Sequence, residues 1–322
     1  MSSGARTFLA IAFLASTLPG CAANEAAPPA RATEARALAT PLAGAPLRSK
    51  RHGWMSPAAT MPQSLIYVAD GNAVVVFPEA GFNPAPVGEI TDGVTSAYGL
   101  YVDGRRNLYV ANRTSSPGIA VYPPGATAPS IVYPDSRGPL YPVTDRTGRV
   151  YAGNGDGTVV EFRSGHTTPD RLLHTPGIEV DGINLDAADN LYVAYRGSNG
   201  DGSIEKFPPN STQGEVLGMT LVQPQGLELD SAGNILVVET GDKFVIDEFP
   251  PGSQTPSQQL HVAHGVTQIA LRESERYIYV SNYEPGKINA YMGLYPLSGV
   301  HPKIEADLGT VQGIAASNEE HF

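Results

Sequence analysis

Four aspartates stand at intervals of 42, 41 and 44 residues, at Asp103, Asp145, Asp186 and Asp230. Carboxylates so evenly spaced could form a ring of hard oxygen donors or proton carriers. Each one, however, leads into turn residues such as Ala232-Gly233-Asn234. An aspartate in that setting accepts hydrogen bonds from the backbone a few residues on, so the spacing predicts hairpin caps rather than a catalytic ring. Asn154-Gly155-Asp156-Gly157 and Asn199-Gly200-Asp201-Gly202 have the oxygen content of a cation loop. They lack the alternating acids and closing glutamate of an EF-hand loop, and read as turns that use Asn and Gly for positive φ. No nucleophile elbow, phosphate loop, dinucleotide fingerprint or Cys/His metal spacing occurs in the chain.

The hairpins imply the elements around them. Each aspartate lies six residues before the second position of a strand written Leu-Tyr-Val-Ala or a variant of it. That position falls at Tyr67, Tyr109, Tyr151, Tyr192, Leu236 and Tyr279, with spacings of 42, 42, 41, 44 and 43. A period of this length marks a propeller or a solenoid. In the last copy one residue is inserted and Arg272 replaces the acid. A third strand ends in an aromatic at Phe77, Tyr122, Phe162, Phe207, Phe249 and Tyr291, often followed by prolines that stop the ladder. A more polar fourth strand follows, as in Ser130 to Tyr133 and Arg171 to His174, and an apolar inner strand such as Gly99-Leu100-Tyr101-Val102 opens each copy after the first. Four antiparallel strands repeated six times predict an all-β fold, a six-bladed β-propeller. The first copy lacks an inner strand, and Gln312-Gly313-Ile314-Ala315-Ala316 is a surplus one at the other end. The C-terminal strand is therefore expected to close the first blade and remove two open sheet edges.

In such a ring the starts of the inner strands and the ends of the second strands surround one mouth of the channel. The starts carry Tyr98, Leu140, Asp181, Gln225, Thr267 and Gln312; the ends carry Asp70, Asn112, Asn154, Tyr195, Glu239 and Asn282. From these, Tyr98, Asp181, Gln225, Gln312, Asn112, Tyr195, Glu239 and Asn282 are expected to contact a ligand. Aromatic and amide side chains around a concavity suit orientation-specific binding.

The Gly-Leu-x-x-Asp and Asn-Leu-Tyr-Val-Ala cadence at Gly99 to Ala111 and Gly182 to Ala194 resembles the NHL-repeat and SMP-30/gluconolactonase-like propellers, and also streptogramin lyase-type propellers. The resemblance spans about 260 residues and concerns blade geometry more than chemistry. The SMP-30-like pattern implies a divalent cation such as calcium, with Asp181 in the acid-before-Gly position and Glu239 and Asn154 as further oxygen donors. Leu140, Gln225 and Thr267 occupy the equivalent starts, so most of that donor set is missing. The lyase-type pattern implies an acid/base pair, for which Glu239 and His264 are the candidates, without a second histidine at a matching position. No cofactor is expected on the binding reading; a lactonase or lyase using a divalent cation is the alternative, and an envelope scaffold the second.

The chain has 322 residues and a formal net charge of −11, with no basic cluster outside the early linker, which excludes nucleic-acid binding. A single cysteine excludes an intrachain disulfide. Arg6 followed by the short apolar run Phe8 to Leu14 reads as a signal peptide. It ends in Leu18-Pro19-Gly20-Cys21, which resembles a bacterial lipobox and implies lipidation of Cys21. A general peptidase cut near Ala22 and Ala23, with Cys21 incidental, is the alternative. The expected organisation is a leader over 1–21, a flexible Ala/Pro-rich tether over 22–63 and a propeller over 64–322. Alanine at position 22 implies sorting to the outer membrane of a bacterial envelope, with membrane contact through the lipid alone. The expected partner is a small ligand or an envelope protein.

Overall fold

A computed structural model describes residues 53–59, 63–114, 118–241, 243–262, 265–272, 276–283, 289–306, 308–309 and 311–317. The leader, Cys21, most of the tether and His264 lie outside the described residues. Among the described residues no helix is long and apolar enough to cross a membrane.

Six antiparallel sheets follow the repeat. Near-continuous apolar runs such as Leu65–Asp70 and Ala73–Pro78 make the sheets apolar on both faces, so the blades must bury both against their neighbours. The inner strands are Ala97–Val102, Pro139–Thr144, Glu179–Leu185, Pro224–Leu229, Val266–Arg272 and Val311–Ala316. Each packs against the inner strands of the two adjacent blades, and Val311–Ala316 touches both Val266–Arg272 and Ala97–Val102. The last strand pairs with Leu65–Asp70 in the register Ile66↔Ala316, Tyr67↔Ala315 and Val68↔Ile314. The chain thus closes into the expected six-bladed ring, its first blade completed from the C-terminus.

The hairpin aspartates cap turns. Asp103 Oδ1 accepts from the backbone N–H groups of Arg105 and Asn107 at 2.9 and 2.7 Å. Asp145 does the same for Thr147 and Arg149, and Asp186 for Ala188 and Asn190, all at 2.9 Å. The turn residue three after the aspartate takes positive φ throughout: Arg106 at 67°, Gly148 at 81°, Asp189 at 60° and Gly233 at 82°. This is a type I turn closed by a left-handed residue, a geometry that glycine adopts without strain.

Three features differ from the sequence-based expectation. Trp54–Met55 adds a fifth strand to the outer edge of blade one, opposite Glu89 and Gly88, and Ala59 is buried beneath it. This stretch of the expected tether is therefore part of the folded blade, because Gly88–Ile90 offers a short open edge that an extended segment can pair with. In blade four the outer edge is divided between Glu215–Val216 and Leu221–Val222. In blade six the third strand runs to Leu294, with Tyr291 near its start opposite Val280 rather than at its end.

Candidate functional site

Every inner strand carries a one-residue β-bulge near its start. The register slips between Ala97 and Leu100, at Leu140, at Asp181, at Gly226, between Val266 and Ile269 and between Val311 and Ile314. Bulges re-aim side chains at the rims of closed sheets. Here they turn Tyr98, Gln225, Thr267 and Gln312 into a cavity of about 280 Å³ at the channel mouth.

The opposing wall comes from one residue past four of the six expected strand ends. Arg113, Arg196, Thr240 and Tyr283 line the cavity, following Asn112, Tyr195, Glu239 and Asn282 in sequence, and Glu179 and Gln223 complete the rim. The structure brings Tyr98, Gln225 and Gln312 together from the expected set and places Asp181 beneath them, where Gln225 Nε2 donates to its Oδ1 at 3.4 Å.

The strand-end residues point elsewhere. Asn112 is fully buried; its Oδ1 accepts from Thr95 N at 2.6 Å, and its amide donates to the carbonyls of Gly93 and Gly118 at 3.2 and 3.1 Å. Asn154 is equally buried and donates to Thr158 Oγ1 at 3.2 Å. Tyr195 and Asn282 are buried and do not line the cavity. Glu239 accepts from the backbone N–H of Val222 and lies beside buried Asp247. Burial, then that neighbour's hydrogen bond, pushes the Glu239 carboxyl up to about 7. Asp181, Glu239 and Asn154 are each engaged separately. Among the described residues no group of three or more Asp, Glu, His or Cys side chains could hold a metal ion.

Charge concentrates on one side of the mouth. Arg196 pairs with Glu179, and its Nε lies 3.4 Å from Asp181 Oδ2. Arg113 stands 3.6 Å from Glu179 with its guanidinium 5.1 Å over the Tyr98 ring, a cation–π contact that holds it toward the opening. Tyr98 meets Tyr141 edge-on at 5.6 Å, and Tyr141 donates to the Thr267 carbonyl at 3.3 Å, so the floor is rigid. Asp181 is 1% exposed, and burial outweighs Arg196 to push its carboxyl up to about 8. Burial therefore favours the neutral form of Asp181, and in that form the mouth holds two guanidinium groups against the single carboxylate of Glu179, a local positive excess on an acidic protein.

No protein-family model matches the sequence, and a search of curated proteins finds no match. Solved structures share the architecture. A chain of a nidogen/laminin complex superposes with a TM-score of 0.67 at 15% identity, covering 80% of this chain and 99% of that one. A protein of unknown function from Bacteroides caccae superposes with a TM-score of 0.61 at 12% identity, covering 80% of this chain and 100% of its own. At such identities the likeness concerns the fold.

Proposed function

We propose that this protein is a lipid-tethered, extracytoplasmic propeller that binds a small carboxylate-bearing ligand at its channel mouth. One observation carries the reading: Arg113 and Arg196 flank a cavity whose nearest buried acid, Asp181, is 1% exposed, so that burial pushes its carboxyl up to about 8. A guanidinium recognises a carboxylate through paired N–H donors. Gln225 and Gln312 supply neutral donors and acceptors, and the Tyr98 ring supplies an apolar wall.

The sign of the pH dependence follows from Asp181. Below about 8 it is neutral and the positive excess at the mouth stands. Above that value its ionised carboxylate competes with the ligand for Arg196, so affinity falls as pH rises from 7 to 9. Titration with paired acids and amides, such as benzoate against benzamide and pyruvate against pyruvamide, tests the ligand class. Binding of at least one acid but not of its amide is expected; equal binding of both members of every pair would remove the carboxylate requirement.

The tether is proposed from Leu18-Pro19-Gly20-Cys21 alone. In a bacterial host, Cys21→Ser should move the protein from the membrane pellet to the soluble envelope fraction and abolish palmitate labelling. Unchanged fractionation would refute lipidation.

A further inference from the structure

We infer that the cleft between the second and third blades, on the face opposite the channel mouth, is a second binding site, and that it takes a saccharide. The cleft encloses about 430 Å³, within the range of about 300–1,000 Å³ typical of small-molecule sites.

It lies at the junction where, among the described residues, no side chain bridges the two hairpins. At the first-to-second blade junction, Arg106 reaches from its hairpin to the Gln63 carbonyl and to Ser317 Oγ. At the third-to-fourth junction, Arg146 grips Asp189 through two hydrogen bonds of 3.2 and 2.9 Å. Asn184 donates to Glu228 across the fourth and fifth blades, Tyr295 to Asp230 across the fifth and sixth, and Arg272 pairs with Glu79 across the sixth and first. At the second-to-third junction the position of Arg106 is taken by Gly148, and no side chain extends from it. Contacts there recede inward to Tyr101, which donates to the Thr144 carbonyl at 3.4 Å, and outward to Tyr133, which accepts from Gly165 N at 3.2 Å.

The lining defines the ligand. Tyr101, Tyr109 and Tyr133 form its largely buried aromatic wall, their hydroxyls turned to protein partners, with Tyr109 donating to Asp103 Oδ2 at 3.2 Å. Val121, Val143 and Leu185 extend that apolar lining. Asn107, Asn184 and Ser130 border it while bonded to Asp103, Glu228 and the Val121 carbonyl, and Ser164 stands beside them as a further hydroxyl. Of the charged lining, Arg146 holds Asp189 while Asp103 and Asp145 cap their turns, and Arg105 stands exposed at the rim as a single guanidinium. No uncommitted cation pair is presented to a phosphate or carboxylate. A ring with an apolar C–H face and a hydroxyl rim matches this pattern of aromatic wall and amide or hydroxyl border.

The test is titration of the purified full chain with glucose, galactose, mannose, N-acetylglucosamine and their β-1,4-linked disaccharides at millimolar concentration, read by saturation-transfer NMR and calorimetry. Gly148→Arg restores the plug seen at Arg106, which tolerates a φ of 67°; the added Cβ meets only the Ser164 side chain, Oγ at 2.9 Å and Cβ at 3.4 Å. Ser130→Tyr blocks the rim from an exposed position without touching the turn, and decides the matter alone should Gly148→Arg not fold. At least one saccharide is expected to bind saturably, with affinity reduced about ten-fold or more in each folded variant, about 1.4 kcal/mol or more. Absence of binding by every saccharide, or binding equal in the parent and Ser130→Tyr, would overturn the proposal.

Discussion

Truncation after Leu308 should yield a chain that does not reach the native fold. The missing strand carries Val311, Ile314, Ala315 and Ala316, all fully buried. Losing the burial of Val311 and Ile314 alone costs about 1.5–3 kcal/mol each. The strand also closes the ladder with Leu65–Asp70, and Ser317 bonds Leu65 in both directions, at 2.7 and 2.8 Å. Its removal exposes the inner edge of blade one and strips the inner strands of blades two and six of a neighbour. Together these losses rival the whole stability of an ordinary domain, about 5–15 kcal/mol. Circular dichroism and urea unfolding would show loss of the cooperative transition. Cooperative unfolding at the parental midpoint would mean that the ring does not depend on this strand.

Replacing Glu79 with alanine should destabilise the protein by about 3–5 kcal/mol, because it leaves a buried arginine without its counter-charge. Arg272 is 2% exposed and pairs with Glu79 across the junction of blades six and one. The Tyr279 hydroxyl donates to the same carboxylate, and Lys303, also buried, donates to the backbone carbonyls of Glu79 and Gly81. Burial holds the Lys303 ammonium below the usual lysine range, with Glu79 opposing that fall. For a folded region of this size the loss corresponds to a melting temperature lower by about 10 °C. The double replacement of Glu79 and Arg272 by methionine should recover most of it, since both charges leave together. A Glu79→Ala protein within about 1 kcal/mol of the parent would show that Arg272 is solvated after all.

These two sites show what a sequence reveals and what it hides. The repeat could be read directly: six strands with apolar alternation and turn residues in fixed register imposed six blades, and the unmatched inner strand at the C-terminus implied closure. The capping aspartates followed from local backbone chemistry. The buried latch at the last junction was not evident, because Arg272 stood only as a missing acid, and nothing local says that Glu79 lies beside it. The channel-mouth site was half legible. Tyr98, Gln225 and Gln312 follow from the positions of the strand starts. Arg113 and Arg196 were missed by one residue, because strand side chains alternate between faces and a slip of one exchanges channel for blade interior. The bulges that set this parity recur in all six blades, yet they involve residues as unlike as Leu140, Asp181 and Gly226. The pairs Asn112-Arg113 and Tyr195-Arg196, in which a long cation follows the strand-end residue, were the available signal.

The account rests on Arg113 and Arg196 recognising an anion beside a protonated Asp181. Calorimetric titration of the parent, Arg113→Gln and Asp181→Asn with the carboxylate that binds, at pH 7 and pH 9, tests this directly. Arg113 is half exposed, so its replacement should leave the fold intact while affinity falls about ten-fold or more, as expected for a lost charged hydrogen bond of about 1.5–3 kcal/mol. The parent should weaken between pH 7 and 9, and Asp181→Asn should not. Equal affinity in the parent and Arg113→Gln, or the same decline with pH in Asp181→Asn, would contradict it.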